Sequence, residues 1–544
     1  MPSRRLNLKI DAIITGNLVY ILILAFYSLI MRFVLSREAV GYASFALLYV
    51  LLSFQVLVIG AYLTGQNAIS RRIREERKTD AFRILTYLRR MVLLFGLFLA
   101  LLMFLLRRQV SSLYHGTGSY YLLYFVLSFV ILTYAVIGSF TAYFSGVGMK
   151  KALHIMLFVL CLSTAILVPV CAKWMEGYGE KIALLLNKGE AKALLSACGI
   201  LLGLGIAGLL TGIVLLVLYL LFFRTVRTTM LEGAGLIFEE KRRNTEILRH
   251  TIRGYAPSFF LFLLPCLLPL IDVLFCGISK EERYSAVLFS GMYGVVYTTA
   301  LFFIFLLLIL MSGLLHALLQ DERKGGFVMK EGKIRILFRL STYYAIPLAF
   351  FLFATSGIFA EQDDLLSSML HIGSINVLFA GELILFMIVL LKKDRTIVLI
   401  TTEAIAFVIH FLLLLFLARG NMHGGRVLAI AITVFYVVWF FAILISERRT
   451  FACLSKEGYR FLLSILCGAI SALPVFFLSG ALSGGLGASI TIALMSILFF
   501  ALYIVLSIII GAADLNNLHR VPFGGWVLDL MELIFYRSGY TGDE

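Results

Sequence analysis

The stretch LLSACGILLGLGIAGLLTGIVLLVLYLLFF, Leu194 to Phe223, runs for 30 residues without a charge and leads into a basic connection, Arg224 to Arg253. A helix rises about 1.5 Å per residue and needs about 20 apolar residues to cross the hydrocarbon of a bilayer. Leu194 to Phe223 therefore reads as a membrane span that ends in basic surroundings. Its glycines at 199, 203, 208 and 212 recur at the spacing by which membrane helices approach one another closely.

Thirteen more stretches of this kind lie on either side of it. In chain order the fourteen are Ala12 to Leu35, Val40 to Thr64, Ile84 to Leu106, Tyr120 to Phe144, Leu153 to Ala172, Leu194 to Phe223, Tyr255 to Ile278, Ala286 to Leu319, Ile336 to Ile358, Met369 to Leu391, Ile397 to Ala418, Val427 to Ile445, Phe461 to Leu482 and Leu486 to Ile510. With Arg32, Arg89, Arg90 and Arg339, which fall just inside span ends, counted to the adjoining connection, the even-numbered connections and the two termini hold 35 of the 47 Lys and Arg, and the odd-numbered connections hold 12. Basic residues stay on the cytoplasmic side, so both termini are expected to be cytoplasmic. The chain reads as an all-α polytopic membrane protein with 14 transmembrane helices, and the bacterial cytoplasmic membrane is its expected location.

Composition excludes other classes. Of 544 residues 61% are hydrophobic and 14% charged, well below the charged quarter of a soluble domain. The net charge of +16 would suggest nucleic acid in a soluble protein. Here it sits in short loops facing anionic lipid, so no nucleic acid partner is expected. The longest polar connections, Glu232 to Arg253 and Lys173 to Lys192, are too short to bury a core and read as loops or surface helices. The first stretch is longer than a secretory signal core and reads as an uncleaved span. The seven cysteines, Cys161, Cys171, Cys198, Cys266, Cys276, Cys453 and Cys467, show no metal-ligand spacing and read as packing residues.

Organisation follows from order. Spans one to six and seven to twelve each open with a helix whose outer end is charged, Arg32 in one and Asp272 in the other. This suggests a duplication, with residues 1–223 as an N-lobe, 224–254 as a basic linker and 255–446 as a C-lobe. The last two helices (447–510) stand outside the repeat, and 511–544 form a tail in which Trp526 to Phe535 can lie as an interfacial helix.

Ionisable groups inside a bilayer are costly and mark function by default. Asp272, Glu382, Glu403 and His410 fall within spans. Glu403 and His410 are seven residues apart, two turns along one helix face, and can line one cavity. Each also has a plain reading: Arg32 can snorkel to headgroups, Asp272 can be a solvated helix-end carboxylate, and His410 can be a packing histidine. Pro257, Pro265 and Pro269 crowd into the seventh stretch, where each removes a backbone hydrogen bond, making that helix a hinge candidate. No GxxxxGK[ST] or HExxH motif occurs, so the chain is not read as an enzyme, and any transport would be secondary.

Four segments carry a family resemblance: MRFVLSREAVGYASFALLYVLLSFQVLVIGAYLTGQNAIS (Met31 to Ser70), YFSGVGMKKALHIM (Tyr143 to Met156), APSFFLFLLPCLLPLIDVLF (Ala256 to Phe275) and GAADLNNLHRVPFGG (Gly511 to Gly525). With the helix number and loop charge, they resemble polysaccharide flippases of the MATE-like exporter superfamily, of the stage V sporulation protein B and lipid II flippase type. The eighth stretch departs from several relatives in lacking prolines and a central basic residue.

The resemblance implies two six-helix lobes in pseudo-twofold arrangement, with helices 13 and 14 forming a groove for a lipid tail. It implies an alternating-access flippase that moves an undecaprenyl-linked peptidoglycan or polysaccharide precursor, a lipid II-like substrate, from the inner to the outer leaflet. It also implies a cation site on helices seven, eleven and twelve, where this chain has Asp272, Glu403 and Thr433, with Na⁺ or H⁺ as coupling ion and no resident cofactor or metal beyond Na⁺ at Asp272 and Glu403. Arginine forks suit phosphate, so Arg32, Arg37 and Arg283 are candidate contacts near the outer side and Arg89 and Arg253 near the inner side. The expected partners are the lipid-linked oligosaccharide, membrane lipids and cell-envelope synthesis proteins, with the chain itself a monomer. Three alternatives stay open: a cation-coupled drug antiporter of the same superfamily, a membrane polysaccharide polymerase or glycosyltransferase, and a non-transporting envelope-assembly scaffold.

Overall fold

With no water to take backbone hydrogen bonds, a spanning segment must satisfy them within itself, and the apolar stretches accordingly form helices. The computed structural model describes residues 35–62, 64–65, 78–115, 120–147, 149–187, 189–231, 331–360, 363–393, 395–417, 424–482 and 488–512, with isolated positions 249, 268, 299 and 303. Among them are α1 (Arg37–Ser53), α2 (Lys78–His115), α3 (Tyr121–Val147), α4 (Lys150–Leu186), α5 (Glu190–Leu231), α6 (Glu331–Phe359), α7 (Asp364–Lys392), α8 (Thr396–Leu417), α9 (Gly424–Ser446), α10 (Gly458–Leu482) and α11 (Ala488–Ile509). Each supplies a segment long and apolar enough to cross a membrane. They match the second to sixth and ninth to fourteenth stretches. The first, seventh and eighth lie outside the described residues, as do both termini.

The largest departure from the sequence reading is at Lys173 to Lys192. Instead of a separate connection, α4 runs on to Leu186 and α5 begins at Glu190. Two features explain the extension. Lys173 and Glu176 pair at 2.8 Å one turn apart, and Gly179 lets α5 close in, since a Cβ there would lie 2.7 Å from the Lys192 Cα. Asn187 ends α4 in the left-handed region at φ 51°, a conformation that Asn tolerates better than most residues.

The chain divides into two compact units. The first holds α1 to α5 together with Leu399–Phe407 of α8. Its central helix is α3, buried along most of its length and flanked by α2 and α5, while α4 packs along α5. The glycines of α5 make these contacts possible. A Cβ at Gly199 would lie 2.5 Å from the Cys171 carbonyl oxygen, and one at Gly203 2.6 Å from the Val168 Cα, both on α4. Gly208 meets Thr133 of α3 in the same way. Midway along its span, α1 widens into a π-helical turn at Phe54–Ile59. Gly138 of α3 abuts the Leu57 carbonyl there.

The second unit holds α6, α7, α9, α10, α11 and the rest of α8. Here α6 is central, with α7, α10 and α11 packed on it and α9 on α7. Pro347 lies inside α6, so the carbonyl four residues earlier, on Tyr343, loses its usual donor. The Tyr503 hydroxyl of α11 replaces it at 3.1 Å, and the Tyr343 hydroxyl lies 3.3 Å from Ser507. The carbonyl that Pro347 frees in α6 is thus the point to which α11 is tied.

Candidate functional site

Starting from the residues buried against expectation, Glu382 lies in α7, about 15 Å from its last residue, Lys392, at 1.5 Å per residue. It is 1% exposed. Ser341 of α6 donates to one carboxyl oxygen, and the other is buried without a hydrogen-bond partner. Glu403 of α8 is more isolated, at 0% exposure with both carboxyl oxygens buried and unpartnered among the described residues. A buried polar group without partners costs free energy, so each site can gain from a proton or a cation that meets those oxygens.

His410 lies two turns along α8 from Glu403, but its contacts are with α9. Its Nδ1 is 2.7 Å from the Ala431 carbonyl oxygen. A carbonyl only accepts, so Nδ1 carries the proton and donates. Thr433, two residues further along α9, donates to Ala429 at 2.8 Å and lies 3.4 Å from the Ile372 carbonyl of α7. The structure thus brings His410 and Thr433 to one level of the second unit, while Glu403 belongs to the segment grouped with the first. Among the described residues no three or more His, Cys, Asp or Glu side chains gather as metal ligands.

Of the arginines named from sequence, Arg89 on α2 stacks over the Tyr219 ring of α5, its guanidinium carbon 4.8 Å from the ring centre. Arg37 is the first residue of α1, after the N-cap Ser36. Asp272, Arg32, Arg253, Arg283 and the prolines at 257, 265 and 269 lie outside the described residues.

Sequence reasoning missed a cluster at the Lys392 end of α7. Glu457, in the connector between α9 and α10, takes a two-point contact from Arg339 of α6, both distances 2.7 Å, and lies 3.2 Å from Arg335. Close by in the chain, Lys393 donates to Thr450 and Thr450 to Glu447, while Phe451 packs on Phe386 at 4.4 Å. An acid among the basic residues of the connection, Arg448, Arg449, Lys456 and Arg460, was the signal for Glu457. His371 was also passed over; its ring lies 4.7 Å from Phe353 and 6.3 Å from Phe476, with Nε2 buried and unpartnered.

No known family profile and no curated protein matches this chain. Solved structures do. The lipid II flippase MurJ in its inward-closed conformation matches with a TM-score of 0.59 at 13% identity, over 91% of this chain and 97% of that one. A eukaryotic MATE transporter matches with a TM-score of 0.56 at 15% identity, over 84% and 99%. A MOP-superfamily transporter from Pyrococcus furiosus matches with a TM-score of 0.52 at 14% identity, over 82% and 96%. At such identities the likeness establishes the fold. The chain has the helical fold shared by MATE transporters and the lipid II flippase.

Proposed function

We propose that this chain, built on that shared fold, is a secondary transporter of the flippase type. It moves an undecaprenyl-linked peptidoglycan or polysaccharide precursor from the inner to the outer leaflet of a bacterial cytoplasmic membrane by alternating access. The observation that carries the reading is the pair α10 and α11, the last two of the described helices, which match the thirteenth and fourteenth apolar stretches of the sequence. The pair packs on α6 and turns long apolar rows outward, with Phe477 72% and Ile497 69% exposed. A polyprenyl tail can lie along such a surface while the headgroup passes through a wet interior.

Coupling falls to the buried acids. Glu403, with both oxygens unpartnered among the described residues, exchanges H⁺ or holds Na⁺ with Asp272, and Glu382, His410 and Thr433 are the coupling candidates of the second unit. The membrane potential supplies about 2.3 kcal/mol per charge per 100 mV, enough to drive the cycle with one or two returning cations. Phosphate contacts fall to Arg32, Arg37 and Arg283 at one side and to Arg89 and Arg253 at the other. Pro257, Pro265 and Pro269 provide the hinge.

The test is complementation of bacteria depleted of their own lipid II flippase, scoring growth and outer-leaflet lipid II. Rescue is expected, with loss in Asp272→Ala, Arg32→Ala and Glu403→Gln at equal membrane abundance. Well-expressed protein that fails to rescue would remove lipid II as substrate. The likeness to the MATE transporter, which spans nearly all of that protein, favours one second reading, a cation-coupled antiporter of small molecules. Gradient-dependent efflux of an organic cation from proteoliposomes, without rescue, would select it.

A further inference from the structure

We propose that Arg89, Tyr143 and Tyr219 form a binding site for a lipid headgroup phosphate ester at the end of the α2, α3 and α5 group. Three independent placements converge there. Arg89 and the following Arg90 come just before the uncharged run of α2 that starts at Met91, Tyr219 is near the end of the apolar run of α5, and Tyr143 is near the last turn of α3. All three lie toward one end of an apolar run, and the ends of such runs are where hydrocarbon gives way to headgroups.

Their contacts leave hydrogen-bonding groups unused. The Tyr143 ring meets the Tyr219 ring edge-on, with centres 4.9 Å apart, and the Arg89 guanidinium covers Tyr219. Arg89 also acts electrostatically on the Tyr143 hydroxyl. Among the described residues no carboxylate lies within ion-pair reach of Arg89. Tyr143 is 3% exposed and its hydroxyl has no hydrogen-bond partner. Stacking uses the face of a guanidinium and leaves the N–H donors in its plane free. A buried hydroxyl without a partner is a standing cost.

An acceptor with several oxygens and a negative charge answers both demands. A phosphate ester fits the arginine fork at two points and has further oxygens for the phenol. At a bilayer boundary it is also the abundant anion. This enlarges the contact at Arg89 proposed above and rests on the flippase reading only for the transport step after binding. Binding without transport would therefore leave this site standing and count against the flippase alone.

The experiment is native mass spectrometry of the full chain in detergent, titrated with dihexanoyl phosphatidylglycerol, a polyprenyl monophosphate, an uncharged diacylglycerol and inorganic phosphate. The two lipid phosphates are expected to bind and the diacylglycerol to fail. Arg89→Gln should weaken them about tenfold, with Arg89→Lys between it and the parent. Tyr143→Phe, which keeps the ring and its packing, should weaken them about threefold. Unchanged binding in both Arg89→Gln and Tyr143→Phe would overturn the site. Full binding by Arg89→Lys together with a silent Tyr143→Phe would reduce it to diffuse charge and overturn it equally. Inorganic phosphate binding as tightly as the lipids would overturn the headgroup assignment.

Discussion

The α4–α5 hairpin and the α6–α10–α11 group are made of similarly apolar helices, yet they are held together by opposite means. In the hairpin, glycines remove side chains so that backbones meet: Gly199 faces Cys171 and Gly203 faces Val168. In the other group, polar side chains reach across to groups that the helices leave unsatisfied. Tyr503 bonds the carbonyl freed by Pro347, Ser479 bonds the Ala354 carbonyl at 3.2 Å, and Arg339 holds Glu457. Close backbone packing has one good arrangement. A hydroxyl or carboxylate can change partner, or gain a proton, without unpacking its helix.

The comparison is broken most severely at the glycines. Gly199→Leu must push apart two backbones, since even a Cβ meets main-chain atoms at 2.5 to 2.9 Å. It should cost about 3 kcal/mol or more, read as loss of monodisperse protein or a steep fall in Tm. A tolerated Gly199→Leu would show that the hairpin is looser than its contacts imply.

Tyr503→Phe tests the opposite region. It keeps the ring but leaves the Tyr343 carbonyl unsatisfied beside a proline, at an expected cost of about 1–3 kcal/mol. Pro347→Ala in the same background should recover part of it, because the backbone N–H returns to that carbonyl. No recovery would mean that Tyr503 matters through packing alone.

The smallest expected effect lies where the first unit uses a polar tie of its own. Tyr120 donates to Glu190 at 2.6 Å, and burial, then this bond, raises its pKa above the ordinary value. A raised folded pKa gives stability that is complete below the unfolded value of about 10 and lost as pH climbs through the folded one. Tyr120→Phe should therefore cost about 0.5–1 kcal/mol between pH 6 and 9, this pair being exposed. Thermal melts should show the loss, and the alkaline decline of the parent should be shallower in the variant.

Legibility in the sequence followed the same division. The spans at the second to sixth and ninth to fourteenth stretches could be read because hydrocarbon forces each to be long, apolar and helical. The role of Gly199 and Gly203 was visible in their spacing, though not which helix they would meet. Glu382, Glu403, His410 and Thr433 stood out as polar positions in apolar surroundings. Their partners did not. Ser341 is 41 residues from Glu382, and Ala431 meets His410 through a carbonyl, a group every residue has. Arg339 and Glu457 are 118 residues apart, with no local pattern to join them.

The α4–α5 extension had the opposite history. The residues from Lys173 to Lys192 carry enough charge to read as a loop or a surface helix, and the Lys173–Glu176 pair together with the close fit of Gly179 against Lys192 makes a continued helix pair the better arrangement. What the sequence by itself determined is which of the described segments form helices long and apolar enough to cross a bilayer, because hydropathy acts on each segment separately. What only the tertiary structure decided is which buried groups are satisfied and which are left waiting, as at Glu403 and Tyr143. Hydrogen bonding depends on distance and direction between residues far apart in the chain, and those are set when the helices pack.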